Sequence, residues 1–134
     1  MGDETLDETR KQLLLAMGYS EKAVAILKSE SNMGIMENPS VQAKHQGSCG
    51  DIMILSLKIE QGIIKDAQYE YVGCAGLQSC ASALTEMIKG MSTKNAVKID
   101  QDKIIQYLEG IPEQKYECAE IAQDTLRKAI ADFS

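Results

Sequence analysis

The sequence predicts an α+β fold: a three-stranded antiparallel sheet with helices packed on it and a helix at the C-terminus. Two observations carry this. Hydrophobicity alternates with period two on both sides of Gln61-Gly62, and it switches to helical periodicity after Cys74 and again after Cys118.

From the N-terminus, Asp3 is placed to cap a helix whose Leu6, Leu13, Leu14 and Met17 fall on one side, with Gly18 ending it. Ser20 and Glu21 open a second helix through Ala23, Val24 and Leu27. The segment from Ser29 to Ser40, with Gly34 and Asn38-Pro39, reads as an extended linker into a short strand near Val41 to His45. The loop Gln46-Gly47-Ser48-Cys49-Gly50-Asp51 follows, its two glycines giving a flexible backbone around a thiol. Next comes a half-buried strand. Met53, Leu55, Leu57 and Ile59 face one way, and Ser56, Lys58 and Glu60 the other. Beyond the Gln61-Gly62 turn, the partner strand turns Ile63, Ala67, Tyr69 and Tyr71 inward and Asp66, Gln68 and Glu70 outward. After Gly73-Cys74-Ala75-Gly76, the residues Leu77, Ala81, Leu84 and Ile88 form one helical stripe, stopped at Lys89-Gly90. Ser92 and Asp100 are placed to cap two short helices, the second ending at Gly110 before Pro112. A final helix from about Cys118 to Phe133 carries Ile121, Ala122, Leu126, Ala129 and Ile130 on its apolar face.

The 134 residues fit one domain, 1–134, with 1–17 as an N-terminal helical extension. At 44% hydrophobic residues but only 4% aromatic, the core must be aliphatic. A net charge of −6, with no basic patch, argues against nucleic acid and against anionic membrane surfaces. No apolar run approaches the ~20 residues of a membrane span, and the acidic start Met1-Gly2-Asp3-Glu4 lacks the features of a signal peptide. A cytoplasmic location is therefore expected. In that reducing compartment the four cysteines are thiols or metal ligands rather than disulfides. They form no CxxC pair, which removes the zinc-finger and thioredoxin readings.

Three of the four stand at element boundaries: Cys49 in a loop before a strand, Cys74 between a strand and a helix, and Cys118 at the start of the last helix. A thiol at a helix N-terminus feels the positive end of the dipole and ionises more readily, as a metal ligand or nucleophile requires. Asp51, two residues past Cys49, offers an oxygen ligand. Soft thiolates with one harder ligand suit zinc or an iron–sulfur cluster. Against this stands the ordinary behaviour of free cysteine as a small buried hydrophobe. Glycine neighbours favour function at Cys49 and Cys74, and Cys118 has less such support. Cys80, inside a helix beside Ala81, is expected in the core. Asp51 alone also fits a turn, and His45, the only histidine, fits a solvated strand position. The residues by themselves reach a metal or persulfide site and no further.

Several of these segments carry a family likeness. Ser48-Cys49-Gly50-Asp51 before an alternating strand, Val72-Gly73-Cys74 opening an Ala/Ser-rich helix, and Cys118 leading through Ile121-Ala122 to Ile130-Ala131-Asp132-Phe133 resemble the IscU / NifU N-terminal scaffold family. Gly18-Tyr19-Ser20-Glu21-Lys22-Ala23 and Thr85-Glu86-Met87-Ile88-Lys89-Gly90 add to the match, which runs from Gly18 to Phe133. The resemblance implies a non-enzymatic scaffold, monomeric or a small homo-oligomer. It would receive sulfur from a cysteine desulfurase, build a [2Fe–2S] cluster on Cys49, Asp51, Cys74 and Cys118, and pass it to recipient apoproteins. Three departures stand out. Glu117 occupies the place where the IscU branch has a histidine. Ile111-Pro112-Glu113-Gln114-Lys115 replaces that branch's Leu-Pro-Pro-Val-Lys, the segment an Hsp70-type chaperone reads, so chaperone-assisted release does not carry over. Cys80 replaces a small polar residue.

Two other functions compete. A SufU-like zinc-dependent sulfurtransferase would use the same cysteines and aspartate to hold zinc and accept a persulfide. That branch has a longer segment between its second and third cysteines. A domain stabilised by a permanent structural zinc is disfavoured, because this chain has enough apolar content to fold without metal.

Overall fold

The computed structural model describes residues 2–134, with side chains from Asp7 onward. The order is α1 (Gly2–Met17), α2 (Glu21–Ser29), β1 (Val41–Gln46), β2 (Ile52–Glu60), β3 (Ile63–Val72), α3 (Ala75–Ile88), α4 (Thr93–Ala96), α5 (Gln101–Tyr107), a 3-10 turn (Glu113–Lys115) and α6 (Tyr116–Phe133). The three strands form one antiparallel sheet in the order β1-β2-β3. This is the expected α+β fold.

The sheet buries one face. Met53, Leu55, Leu57 and Ile59 of β2 point into the core, as their alternation requires. Over that face lie α6, packed on β1 and β2, and α3, packed on β3 and against α6. The α3 stripe is buried in full: Leu77, Ala81, Leu84 and Ile88 have no exposed surface. Leu126, Ala122 and Ala129 do the same for α6, while Ile130 is partly buried. Among the outward-facing residues, Ser56 is nevertheless buried, flanked across the sheet by Gln42 and Gln68 and accepting a hydrogen bond from Gln42 at 2.9 Å.

Three expectations need correction. On β3, Ile64 rather than Ile63 fills the core, because Lys58 pairs with Asp66 while Ile59 pairs with Ile64. That skip is a β-bulge: Lys65 is the extra residue, and the inward positions change phase across it. Secondly, α1 starts at Gly2, so Asp3 lies inside the helix rather than at its cap. Of its expected stripe only Leu14 is buried. Leu13 and Met17 are exposed, and the side chain of Leu6 lies outside the described residues. Among the described residues its main packing partner is α2, which leaves little surface to bury a wider stripe against. Thirdly, the segment before β1 does not simply run extended. Gly34 donates to Tyr69 O at 2.9 Å and Tyr69 N to Asn32 O at 2.9 Å, a bridge onto the free edge of β3.

The caps at Ser20, Ser92 and Asp100 form as the sequence predicts, each side chain accepting a backbone N–H three residues on. Ser20 also donates to Leu108 O, tying α2 to the end of α5. The last helix begins two residues before Cys118, at Tyr116.

Candidate metal centre

Two helix N-termini meet at one end of the sheet. Cys74 ends the β3–α3 connection as the residue before α3, in extended conformation, and its side chain makes no capping bond. Cys118 sits in the first turn of α6. Because α3 and α6 pack side by side, the two thiols converge, with Sγ to Sγ at 3.7 Å. Asp51, the last residue before β2, reaches the same point with Oδ2 at 3.8 Å from Cys74 Sγ. The donor atoms of Asp51, Cys74 and Cys118 all lie within 4.8 Å of one another.

The approach of Asp51 depends on a missing side chain. A Cβ on Gly73 would stand 2.8 Å from both Cγ and Oδ2 of Asp51. The glycine before Cys74 is thus needed for close packing. Gly47 lies against the Ile121 side chain, which would have to shift to admit a Cβ there. Of the two glycines around Cys49, only Gly50, at φ +94°, has the left-handed backbone that flexibility arguments concern.

Cys49 is not part of the close group. It is exposed in the β1–β2 loop, while Cys74 is half-buried and Cys118 buried. The loop itself is fixed to α6. Gly47 packs on Ile121, and Ser48 Oγ donates to Glu117 Oε1 at 2.5 Å. Glu117, in the place where the resemblance leads one to look for a histidine ligand, is therefore exposed and bonded to a serine. His45 lies 3.9 Å from Asp124 Oδ2, outside the thiol group. Cys80 is fully buried in mid-α3, as expected, and burial pushes its thiol up to about 12.

Burial pushes the Cys118 thiol up, and the neighbouring Cys74 adds to this. The dipoles of α3 and α6 favour thiolates, yet the net direction at Cys118 is toward the thiol. A group held this way keeps its proton until a cation replaces it, and then gives up both proton and space to the metal. The donor set fits such a cation. Two sulfurs bound at about 2.3 Å to one tetrahedral ion stand ~3.8 Å apart, close to the 3.7 Å separation here.

The sequence reading did not single out Tyr19, which is buried near the thiols. Its phenol is pushed up by burial and then by Cys74, Cys118 and Cys80. Nor did it anticipate the Ser48–Glu117 bond. The only signal was position: Tyr19 and Ser48 lie inside segments of the family likeness, and Glu117 stands at a departure from it.

Two thiols and a carboxylate gathered at paired helix N-termini of an α+β domain form a group that could hold a metal ion. Residues 18–134 match the NifU-like N terminal domain family, and the chain belongs to it. It is 34% identical over 116 residues to "Iron-sulfur cluster assembly scaffold protein IscU 1" of Archaeoglobus fulgidus, covering 86% of this chain and 76% of that one. It is 35% identical over 122 residues to "Iron-sulfur cluster assembly scaffold protein IscU" of Escherichia coli K12, covering 87% of this chain and 94% of the relative. The fold matches the crystal structure of a "Putative iron-sulfur cluster assembly scaffold protein for SUF system" from Fervidobacterium islandicum AW-1. There the TM-score is 0.69 at 23% identity, over 84% of this chain and 96% of the other.

Proposed function

We propose that this chain is a scaffold on which an iron–sulfur cluster is assembled from iron and desulfurase-derived sulfur, then released to recipient apoproteins. The observation that carries the reading is the convergence of Asp51, Cys74 and Cys118 within 4.8 Å, in a chain that belongs to the NifU-like family. Its relatives in A. fulgidus and E. coli bear the name of iron–sulfur cluster assembly scaffolds. In this reading the cluster, of [2Fe–2S] type, is cargo rather than a resident cofactor. Cys74 and Cys118 form the fixed half of its cradle, Asp51 is the exchangeable oxygen ligand, and Cys49 is the third thiolate, closing from its loop. Thiolates bind iron strongly, whereas a carboxylate is a harder donor that exchanges more readily, which suits a protein that must give its cargo away. No chemical turnover is assigned to the chain. A cytoplasm that keeps all four thiols reduced is the compartment this chemistry needs. Among the described residues no helix is long and apolar enough to cross a membrane.

A second reading, a zinc-dependent sulfurtransferase, draws support from the 3.7 Å sulfur pair, which fits one edge of a zinc tetrahedron. Anaerobic purification with iron, sulfide and zinc analysis, followed by reconstitution, separates the two. The scaffold takes up iron and sulfide in equal amounts and develops an oxygen-sensitive visible chromophore. Stoichiometric zinc with no uptake of iron and sulfide would overturn the scaffold reading and favour the sulfurtransferase.

A further inference from the structure

The loop that carries Cys49 is clasped to α6 at two points. Its base rests on the helix through Gly47, which lies against the Ile121 side chain. One residue further, Ser48 Oγ donates to Glu117 Oε1 at 2.5 Å, an interaction that spans 69 residues of sequence. A hydroxyl donating to a carboxylate is among the stronger side-chain hydrogen bonds, and this one is short. The loop also closes on itself, with Gly47 N donating to Asp51 O at 2.9 Å and Gly50 N to Gly47 O at 3.0 Å. Each partner in the clasp is the chain neighbour of a thiol: Ser48 precedes Cys49, and Glu117 precedes Cys118. Cys49 follows the anchored Ser48 and is itself followed by Gly50, at φ +94°.

We propose that Glu117 is a positioning residue that acts through Ser48. Their hydrogen bond holds the β1–β2 loop to the first turn of α6, the turn that carries Cys118, so that Cys49 is presented from a fixed base. The inference rests on the scaffold reading's assignment of Cys49 as a metal-binding thiol. A loop with two glycines samples many conformations when free, and a ligand on it must be ordered when it binds. Fixing the residue before Cys49 removes most of that ordering from the binding step, as preorganisation does in general. Glu117 is thereby given a role that requires no contact with the metal.

Cobalt(II) titration of the reduced full-length protein tests this, read by the sulfur-to-cobalt charge-transfer absorbance. Ser48→Ala and Glu117→Ala each remove the clasp at an exposed position. Freeing about one residue of backbone should weaken cobalt binding about fivefold to tenfold in either variant. The double variant should be no weaker than the single ones, since both delete one interaction. Glu117→Gln keeps an oxygen acceptor for Ser48 and should stay within about threefold of wild type. The readout that isolates positioning is the background: with Cys49→Ser already in place, Ser48→Ala should change nothing, because the clasp has no thiol left to position. Unchanged affinity in Ser48→Ala, tighter binding in it, or a loss that persists in the Cys49→Ser background would each overturn the clasp while leaving the scaffold reading intact. A wild-type protein without a sulfur-to-cobalt band would overturn the scaffold reading, and the clasp with it.

Discussion

Asp51 reaches the thiols only because Gly73 has no side chain to stop it. A methyl group at position 73 would lie 2.8 Å from the carboxylate, well inside van der Waals contact, and 3.0 Å from Leu77 Cδ2. The backbone at Gly73 is not left-handed, so alanine brings no conformational strain of its own. We expect Gly73→Ala to fold normally and to lower metal affinity about as much as Asp51→Ala, because both remove the carboxylate from the site. Cobalt titration of the two variants side by side checks this, and wild-type affinity in Gly73→Ala would mean that Asp51 gives way without cost. Cys80 makes a prediction about pH. Its folded-state thiol is raised from 9.0 to about 12 by burial. Between those values the unfolded chain releases this proton while the native state keeps it, so the unfolded state binds fewer protons and stability falls as pH rises. The contribution is constant below pH 9. Urea unfolding of reduced apo-protein at several pH values above 9 should show a steeper loss in wild type than in Cys80→Ala, by up to about 1.4 kcal/mol per pH unit. At this scale the sequence was informative about chemistry and silent about partners. That Cys74 and Cys118 border helices, and that Cys80 is core, follows from local pattern. That Ser48 meets Glu117 does not, because the bond joins residues 69 positions apart through packing that no local pattern encodes.

Elements differ in how far their pattern decides their place. The β2 alternation survives intact because the strand has a neighbour on each side and a core beneath it, so a one-residue slip would reverse every side chain. On β3 the same rule predicts the wrong isoleucine, since a bulge is an extra residue that leaves no mark on composition. For α1, periodicity alone could not report that, among the described residues, α2 is the main element the helix packs against. It contributes Leu14 to the core, with Leu15 partly buried against it, and leaves Leu13 and Met17 in water. It also lies outside the region that matches the family, which begins at residue 18. The caps that set α2 begin at Ser20, beyond α1. Among the described residues, removing 1–17 takes away the burial of one leucine and part of another, a cost of about 3 kcal/mol. It should leave metal affinity unchanged. Urea unfolding and cobalt titration of the shortened chain test both halves, and loss of cooperative folding would show that α1 belongs to the domain's core.

For the molecule as a whole, the donors come from three separated places: the end of the β1–β2 loop, the β3–α3 junction and the start of α6. An ion held by all of them binds the folded chain and not the unfolded one, so it must add stability. Yet the core is complete without it. Leu55, Leu57, Ile64, Leu77, Leu84 and Leu126 are fully buried, and among the described residues no buried side-chain polar atom lacks a hydrogen-bond partner. Metal should thus shift the melting transition without being required for it, unlike a small zinc domain that unfolds when stripped. Reduced, chelator-treated protein is expected to keep its α+β circular dichroism spectrum and to melt cooperatively. Free zinc at 100 times its dissociation constant should then add ~2.7 kcal/mol, read as a rise in Tm of about 8–13 °C. Cys118→Ser should lose most of that rise, since it removes one of the two convergent sulfurs. Cys80→Ser, though about 1–3 kcal/mol less stable if its hydroxyl finds no partner, should retain the rise in full. Differential scanning calorimetry with and without zinc on the three proteins makes the measurement. An apo-protein that melts without a cooperative transition would mean that metal is structural here, and a Cys80→Ser variant insensitive to zinc would move the metal site into α3.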